Sequence, residues 1–220
     1  MNILVFAPHA DDEVLGCGGT IAKHINSGDK VFVCIATRPK APIFKDELFD
    51  IIRSETIASH KFLKIEKTFF LELPAVMVEE VPRHQINSKI SAVIDEVKPD
   101  IVYMPHFGDM QKDHTLVAEA IMVAVRPKNT HKVKTVLSYE TLSETEWNMP
   151  HSANMFIPNV YNDISEFLEI KKEAMSYFKS QLDEFPNPRS LEAVEALAKY
   201  RGSTILANAA ESFMLVRDIK

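Results

Sequence analysis

Cysteine is almost absent from this 220-residue chain, and no run of apolar residues is long. The two cysteines, Cys17 and Cys34, do not form a Cys-x-x-Cys pair, which speaks against a thiolate metal site. Both are expected to be buried small hydrophobes in a reducing compartment. No stretch approaches the roughly 18 apolar residues of a membrane span. Met1-Asn2 lacks a basic leader region, and the apolar run behind it is too short for a signal peptide. A cytoplasmic location without stable membrane insertion is therefore expected. Basic blocks are missing too. The net charge is −6, with 25 Lys and Arg against 31 Asp and Glu, so nucleic acid is not an expected partner. No internal repeat, low-complexity tract or break in composition divides the chain, and one domain over residues 1–220 is expected.

What is present is an alternation of strand-like and helix-like segments. Strands are predicted at 2–7, 30–37, 68–73, 101–104 and 133–139, and helices at 12–28, 45–63, 79–97 and 114–125. This rhythm predicts right-handed βαβ units: an α/β, Rossmann-like three-layer sandwich with a mostly parallel sheet. The tail breaks the rhythm. A short strand is expected at 155–160, helices at 163–181 and 189–200, and a last strand at 212–216. Residues 147–151, Trp-Asn-Met-Pro-His, read as a loop at the rim of a pocket.

Chemistry-bearing residues gather at two predicted strand ends. The run Ile3–Ala7 stops at Pro8-His9-Ala10-Asp11-Asp12-Glu13. The run Ile101–Met104 stops at Pro105-His106-Phe107-Gly108-Asp109, followed by Gln111, Asp113 and His114. In a parallel sheet both ends lie on the same edge, where open α/β sheets place their active sites. A His/Asp/His set with one open position is a catalytic Zn²⁺ arrangement, and ligands of this kind also admit Fe²⁺ or Mn²⁺. Neighbouring aspartates leave the backbone in different directions. One of Asp11 and Asp12 can ligate a metal while the other acts as general base on water. Gly16, Gly18 and Gly19 are preceded by acids, which would repel a pyrophosphate. They read as helix-to-sheet packing positions, not as a dinucleotide loop. Tyr139 and Trp147 are candidates for stacking on a substrate ring.

These motifs resemble the LmbE/PIG-L-like de-N-acetylases. Pro8-His9-Ala10-Asp11-Asp12-Glu13 matches the family's first motif, and Gly108–His114 matches its second in part. Arg53 with Glu55, Ser138-Tyr139-Glu140, Thr145-Glu146-Trp147 and Ala210-Glu211-Ser212-Phe213 extend the likeness over nearly the whole chain. The resemblance implies His9, Asp12 and His114 as Zn²⁺ ligands, and Asp11 as the base. It implies Asp113 as the partner that orients a ligand imidazole. Arg53 would face the substrate, with His106 and Trp147 as further substrate contacts. The implied reaction removes an N-acetyl group from a small GlcNAc-type amino sugar, in a chain that can form a homo-oligomer. The chain departs from the family at Gln111, where many members carry a histidine. Glutamine donates a hydrogen bond to an oxyanion but supplies no proton, so Asp11, His106 or His151 must protonate the leaving amine. Two other functions fit the same residues: a metal-dependent amidase or esterase on a non-sugar substrate, and a binding module that has lost catalysis.

Overall fold

The computed structural model describes residues 1–128 and 131–220. Its first half repeats strand and helix: β1 (Asn2–Ala7), α1 (Asp12–Asn26), β2 (Lys30–Arg38), α2 (Asp46–Leu63), β3 (Lys67–Pro74), α3 (Arg83–Val97), β4 (Ile101–Pro105), α4 (Lys112–Ala124) and β5 (Thr135–Tyr139). The second half adds β6 (Val160–Asp163), α5 (Leu168–Ser176), α6 (Leu191–Ser203) and β7 (Ala210–Asp218). The seven strands form one sheet in the order β3-β2-β1-β4-β5-β7-β6. Strands β1 to β5 are parallel, and β7 pairs antiparallel with both β5 and β6.

Alternation along β1 builds the layers. Leu4 and Phe6 pack with α3 and α4 residues such as Ile90, Ile94, Val117 and Ile121. Ile3, Val5 and Ala7 face the opposite layer, with Val14, Ile21, Met175 and Val194 from α1, α5 and α6. The sheet is buried on both faces, which is why its parallel strands read as continuous apolar runs. The chain grows from β1 toward β2 and β3, then crosses to β4 on the other flank. The reversal opens a crevice between the carboxyl ends of β1 and β4, the place where such sheets bind ligands.

The predicted three-layer α/β sandwich is the observed architecture, but several boundaries differ. The 79–97 helix is split: a 3₁₀ turn at Val78–Glu80 precedes α3, with Pro82 as its N-cap. Helix α4 begins at Lys112, so Asp113 and His114 both sit in its first turn. The strand expected at 155–160 forms later, at Val160–Asp163. The helix expected at 163–181 shrinks to Leu168–Ser176 because Asp163 Oδ1 accepts the N–H (2.9 Å) and hydroxyl (2.6 Å) of Ser165. Such a side-chain turn competes with helix initiation. At its other end Glu55 takes the N–H of Ser180 at 3.0 Å. The last strand extends to Ala210–Asp218.

The glycines of α1 do serve packing. A Cβ on Gly16 would collide with the Tyr139 ring, and one on Gly19 would lie 2.6 Å from Ile164. Lys171 Nζ reaches the Leu15 carbonyl at 2.7 Å and Glu211 at 2.6 Å, while Glu211 accepts the N–H groups of Gly19 and Thr20 at 2.9 and 2.7 Å. Tyr139 is fully buried and donates to the Phe6 carbonyl at 2.7 Å, so it holds β1 rather than a substrate ring. Among the described residues no helix is long and apolar enough to cross a membrane.

Candidate active site

Strand β1 is anchored where it ends. The Pro8 carbonyl accepts the Thr37 N–H at 3.0 Å and its hydroxyl at 2.8 Å. The next residues turn into α1, and the His9 N–H donates to Asp12 Oδ2 at 2.9 Å. Across the crevice, the first turn of α4 brings in His114.

Three donor atoms meet there. His9 Nδ1 lies 3.4 Å and His114 Nε2 3.3 Å from Asp12 Oδ2, and the two imidazole nitrogens are 3.3 Å apart. A tetrahedral ion with ligand distances of about 2.0–2.1 Å separates its donors by about 3.3–3.4 Å, so this triangle fits Zn²⁺. The far side of each ring is engaged. His9 Nε2 sits 3.0 Å from Asp113 Oδ2, and His114 Nδ1 sits 2.8 Å from Asp109 Oδ2. The Val76 N–H (2.7 Å) fixes Asp113, and the Thr145 hydroxyl (2.6 Å) fixes Asp109. Carboxylates behind each ring set its tautomer and leave the inward nitrogens as acceptors for a metal. Asp12 Oδ1 is buried and makes no hydrogen bond.

The electrostatics also ask for a cation. Burial alone would lower the proton affinity of His9, but hydrogen bonds to Asp113 and Asp12 outweigh it and raise its pKa to about 9. For His114, burial is likewise overcome, by the charge of Asp12 and the bond to Asp109, and the pKa rises to about 10. Burial opposes ionisation of Asp12 as well, yet His114 and His9 hold its pKa well below the usual range.

Asp11 stands beside the triangle in a left-handed backbone, φ 108°. Its N–H is held by Glu13 Oε2 at 3.1 Å, and Glu13 Oε1 in turn lies 2.9 Å from His60 Nε2. Strain of this kind persists only where the surroundings enforce it, and it concentrates at active sites. One Asp11 oxygen pairs with Arg189, and the other is buried without a partner among the described residues. Burial raises the Asp11 pKa to about 8; Arg189 opposes the rise, and Asp12 and Glu13 add to it.

The other expected residues are placed unevenly. Gln111 and Trp147 line an open cleft of about 430 Å³ beside His9. The Gln111 side-chain oxygen is buried without a hydrogen bond, and its backbone N–H donates to Glu144 at 3.1 Å. His106 is turned away: its Nε2 lies 2.9 Å from the Asn154 carbonyl, its ring packs edge-on to Phe156, and it does not line the cleft. Arg53 pairs with Glu72, stacks on Phe70, and is also absent from the lining. His151 is exposed and accepts the Ala153 N–H at 3.2 Å.

Sequence reasoning missed the roles of Asp109, Glu13 and Glu144, and it missed Arg189 entirely. Arg189 carried one signal. It precedes Ser190, whose side chain accepts the Ala193 N–H at 3.1 Å and caps α6. A cation at a helix N-terminus opposes the helix dipole, so a carboxylate partner is to be looked for.

Known proteins resemble this chain in sequence and in fold. The chain is 28% identical over 188 residues to the uncharacterized deacetylase YaiS of Escherichia coli, covering 81% of this chain and 91% of that one. It is 27% identical over 197 residues to diacetylchitobiose deacetylase of Thermococcus kodakarensis, covering 83% and 71%. The conserved protein TT1542 of Thermus thermophilus superposes with a TM-score of 0.81 at 23% identity, over 99% of this chain and 96% of that one. The hydratase GalB of Pseudomonas putida superposes at 0.75 with 20% identity, over 98% and 95%, so the fold alone does not fix the reaction. The family model for GlcNAc-PI de-N-acetylase matches residues 4–125, which include both motifs and all three donors. On that match, the chain belongs to the GlcNAc-PI de-N-acetylase (PIG-L) family.

Proposed function

We propose that this protein is a Zn²⁺-dependent deacetylase that hydrolyses the N-acetyl group of a GlcNAc-type amino sugar or its conjugate. The observation that carries the proposal is the donor triangle of His9, Asp12 and His114 with the unpaired oxygen of Asp11 beside it. The deacetylase names of the relatives support the reaction class.

Zn²⁺ at those three donors would supply Lewis-acid polarisation of the acetamide carbonyl and a lowered pKa for the attacking water. The remaining work falls to side chains. Asp11 accepts a proton from the attacking water. Burial favours its protonated form, so it can hold that proton for return to the amine. Arg189 grips one oxygen of Asp11 and leaves the other free for the water. Gln111 lines the cleft with an unpaired amide oxygen, so its amide is free to turn an N–H toward the developing oxyanion. Collapse breaks the C–N bond. Asp11 then protonates the leaving amine, since the His106 Nε2 is turned to the Asn154 carbonyl. The products are acetate and a free amino sugar.

Replacing Asp11 by Asn tests the assignment. Acetate release should fall by about 10²–10⁴-fold, while one zinc per chain is retained. Wild-type turnover in a folded, metal-loaded Asp11→Asn variant would remove Asp11 as the base.

A further inference from the structure

The cleft beside His9 is lined by several large apolar side chains and few charged ones. Phe44, Leu48, Ile52, Val76, Met110 and Trp147 give it an apolar lining. Val76, Met110 and Trp147 are 46%, 49% and 55% exposed. Large apolar side chains left open around one mouth mark a contact surface. The charges are one-sided. Glu144 and Asp183 line the cleft, and among the described residues Arg189 is the one Lys or Arg in that lining. Arg189 is already engaged, with Asp11 through Nη1 and with Ser143 through Nε at 2.8 Å.

The nearby arginines are engaged elsewhere. Arg53 pairs with Glu72, and its guanidinium carbon lies 3.4 Å from the centroid of the Phe70 ring. Arg38 meets the same Glu72 at 3.2 Å. Neither lines the cleft. A phosphate or carboxylate seated here would lose water, meet no Lys or Arg free of a carboxylate partner, and face two carboxylates. An unpaired, desolvated charge is costly. An apolar group in the same cleft would gain about 25 cal/mol for each Å² it buries.

Resting on the deacetylase reading above, we infer that the cleft selects the aglycone: the substrate is an N-acetylglucosaminide whose aglycone is uncharged and apolar, not a phosphate, nucleotide or carboxylate conjugate.

The test compares kcat/KM for acetate release from three probes by the zinc-loaded protein. They are octyl N-acetyl-β-glucosaminide at submicellar concentration, the methyl glycoside, and N-acetylglucosamine 1-phosphate. The expected order is octyl, methyl, phosphate, with octyl ahead of phosphate by at least about tenfold. Added salt should narrow the gap between methyl and phosphate, because screening weakens charge repulsion. Trp147→Ala, at a half-exposed position, should lower the octyl-to-methyl ratio several-fold. A phosphate conjugate processed as fast as the octyl glycoside would overturn the inference, as would an unchanged ratio in Trp147→Ala. Acetate release from none of the three would instead overturn the deacetylase reading, and the inference with it.

Discussion

Asp11 combines a left-handed backbone with a fully buried carboxylate. Glu13 accepts its N–H and is itself paired with His60, and Arg189 holds its side chain. The charge of Arg189 pulls the Asp11 pKa down against burial. Replacing Arg189 by Met should therefore raise that pKa. The base would ionise only at higher pH, so the acid limb of the kcat/KM profile should move upward while zinc content stays at one per chain. Arg189→Lys should restore part of the shift; a profile unchanged in both variants would remove Arg189 from control of the base. Asp109 and Asp113 touch the imidazoles of His114 and His9 instead. Asparagine at either position should weaken zinc binding by about 10–100-fold, read by competition with a chelator. The meeting of His9, Asp12 and His114 was legible because these residues cluster in two short motifs. Arg189 was not, because nothing local ties residue 189 to residue 11.

Among the elements, α1 shows how a site is held by packing. Its small residues let Tyr139, Ile164 and Lys171 approach the helix closely. The Lys171–Glu211 pair meets the Leu15 carbonyl and the Gly19 N–H, groups that an unbroken helix pairs with each other. Gly19→Ala would press a methyl group onto Ile164 and should cost about 1–3 kcal/mol. Thermal unfolding should show it as a drop of several degrees, since about 1 kcal/mol shifts Tm by about 2–4 °C in a chain of this size. An unchanged Tm would show that the helix can move away freely. The regular elements were readable from apolar runs and periodicity. The errors fell where one side chain overrides a pattern. Pro82 splits the third predicted helix, and the Asp163–Ser165 turn delays α5.

For the whole molecule, the reversal of strand order between β1 and β4 brings the two motifs together. The parallel sheet predicted that both strand ends share an edge. It did not predict that the antiparallel tail would return α6, and Arg189 before it, to the same place. The converged site gives stability a pH dependence that metal should abolish. In the metal-free protein the folded pKa values of His9 and His114, about 9 and about 10, exceed the usual 6.5. Their contribution to stability is complete below about pH 6.5 and is lost as pH rises through about 9 to 10. The Tm of chelator-treated protein should fall over that window, and zinc should protect most strongly at its upper end. Parallel Tm curves with and without zinc would contradict this.

Metal-dependent deacetylation at the His9–Asp12–His114 triangle is checked by a zinc titration of the metal-free protein. Acetate released from an N-acetylglucosaminide should be negligible at first, rise in proportion to added Zn²⁺, and level off near one equivalent per chain. Full turnover in protein stripped of metal would contradict it.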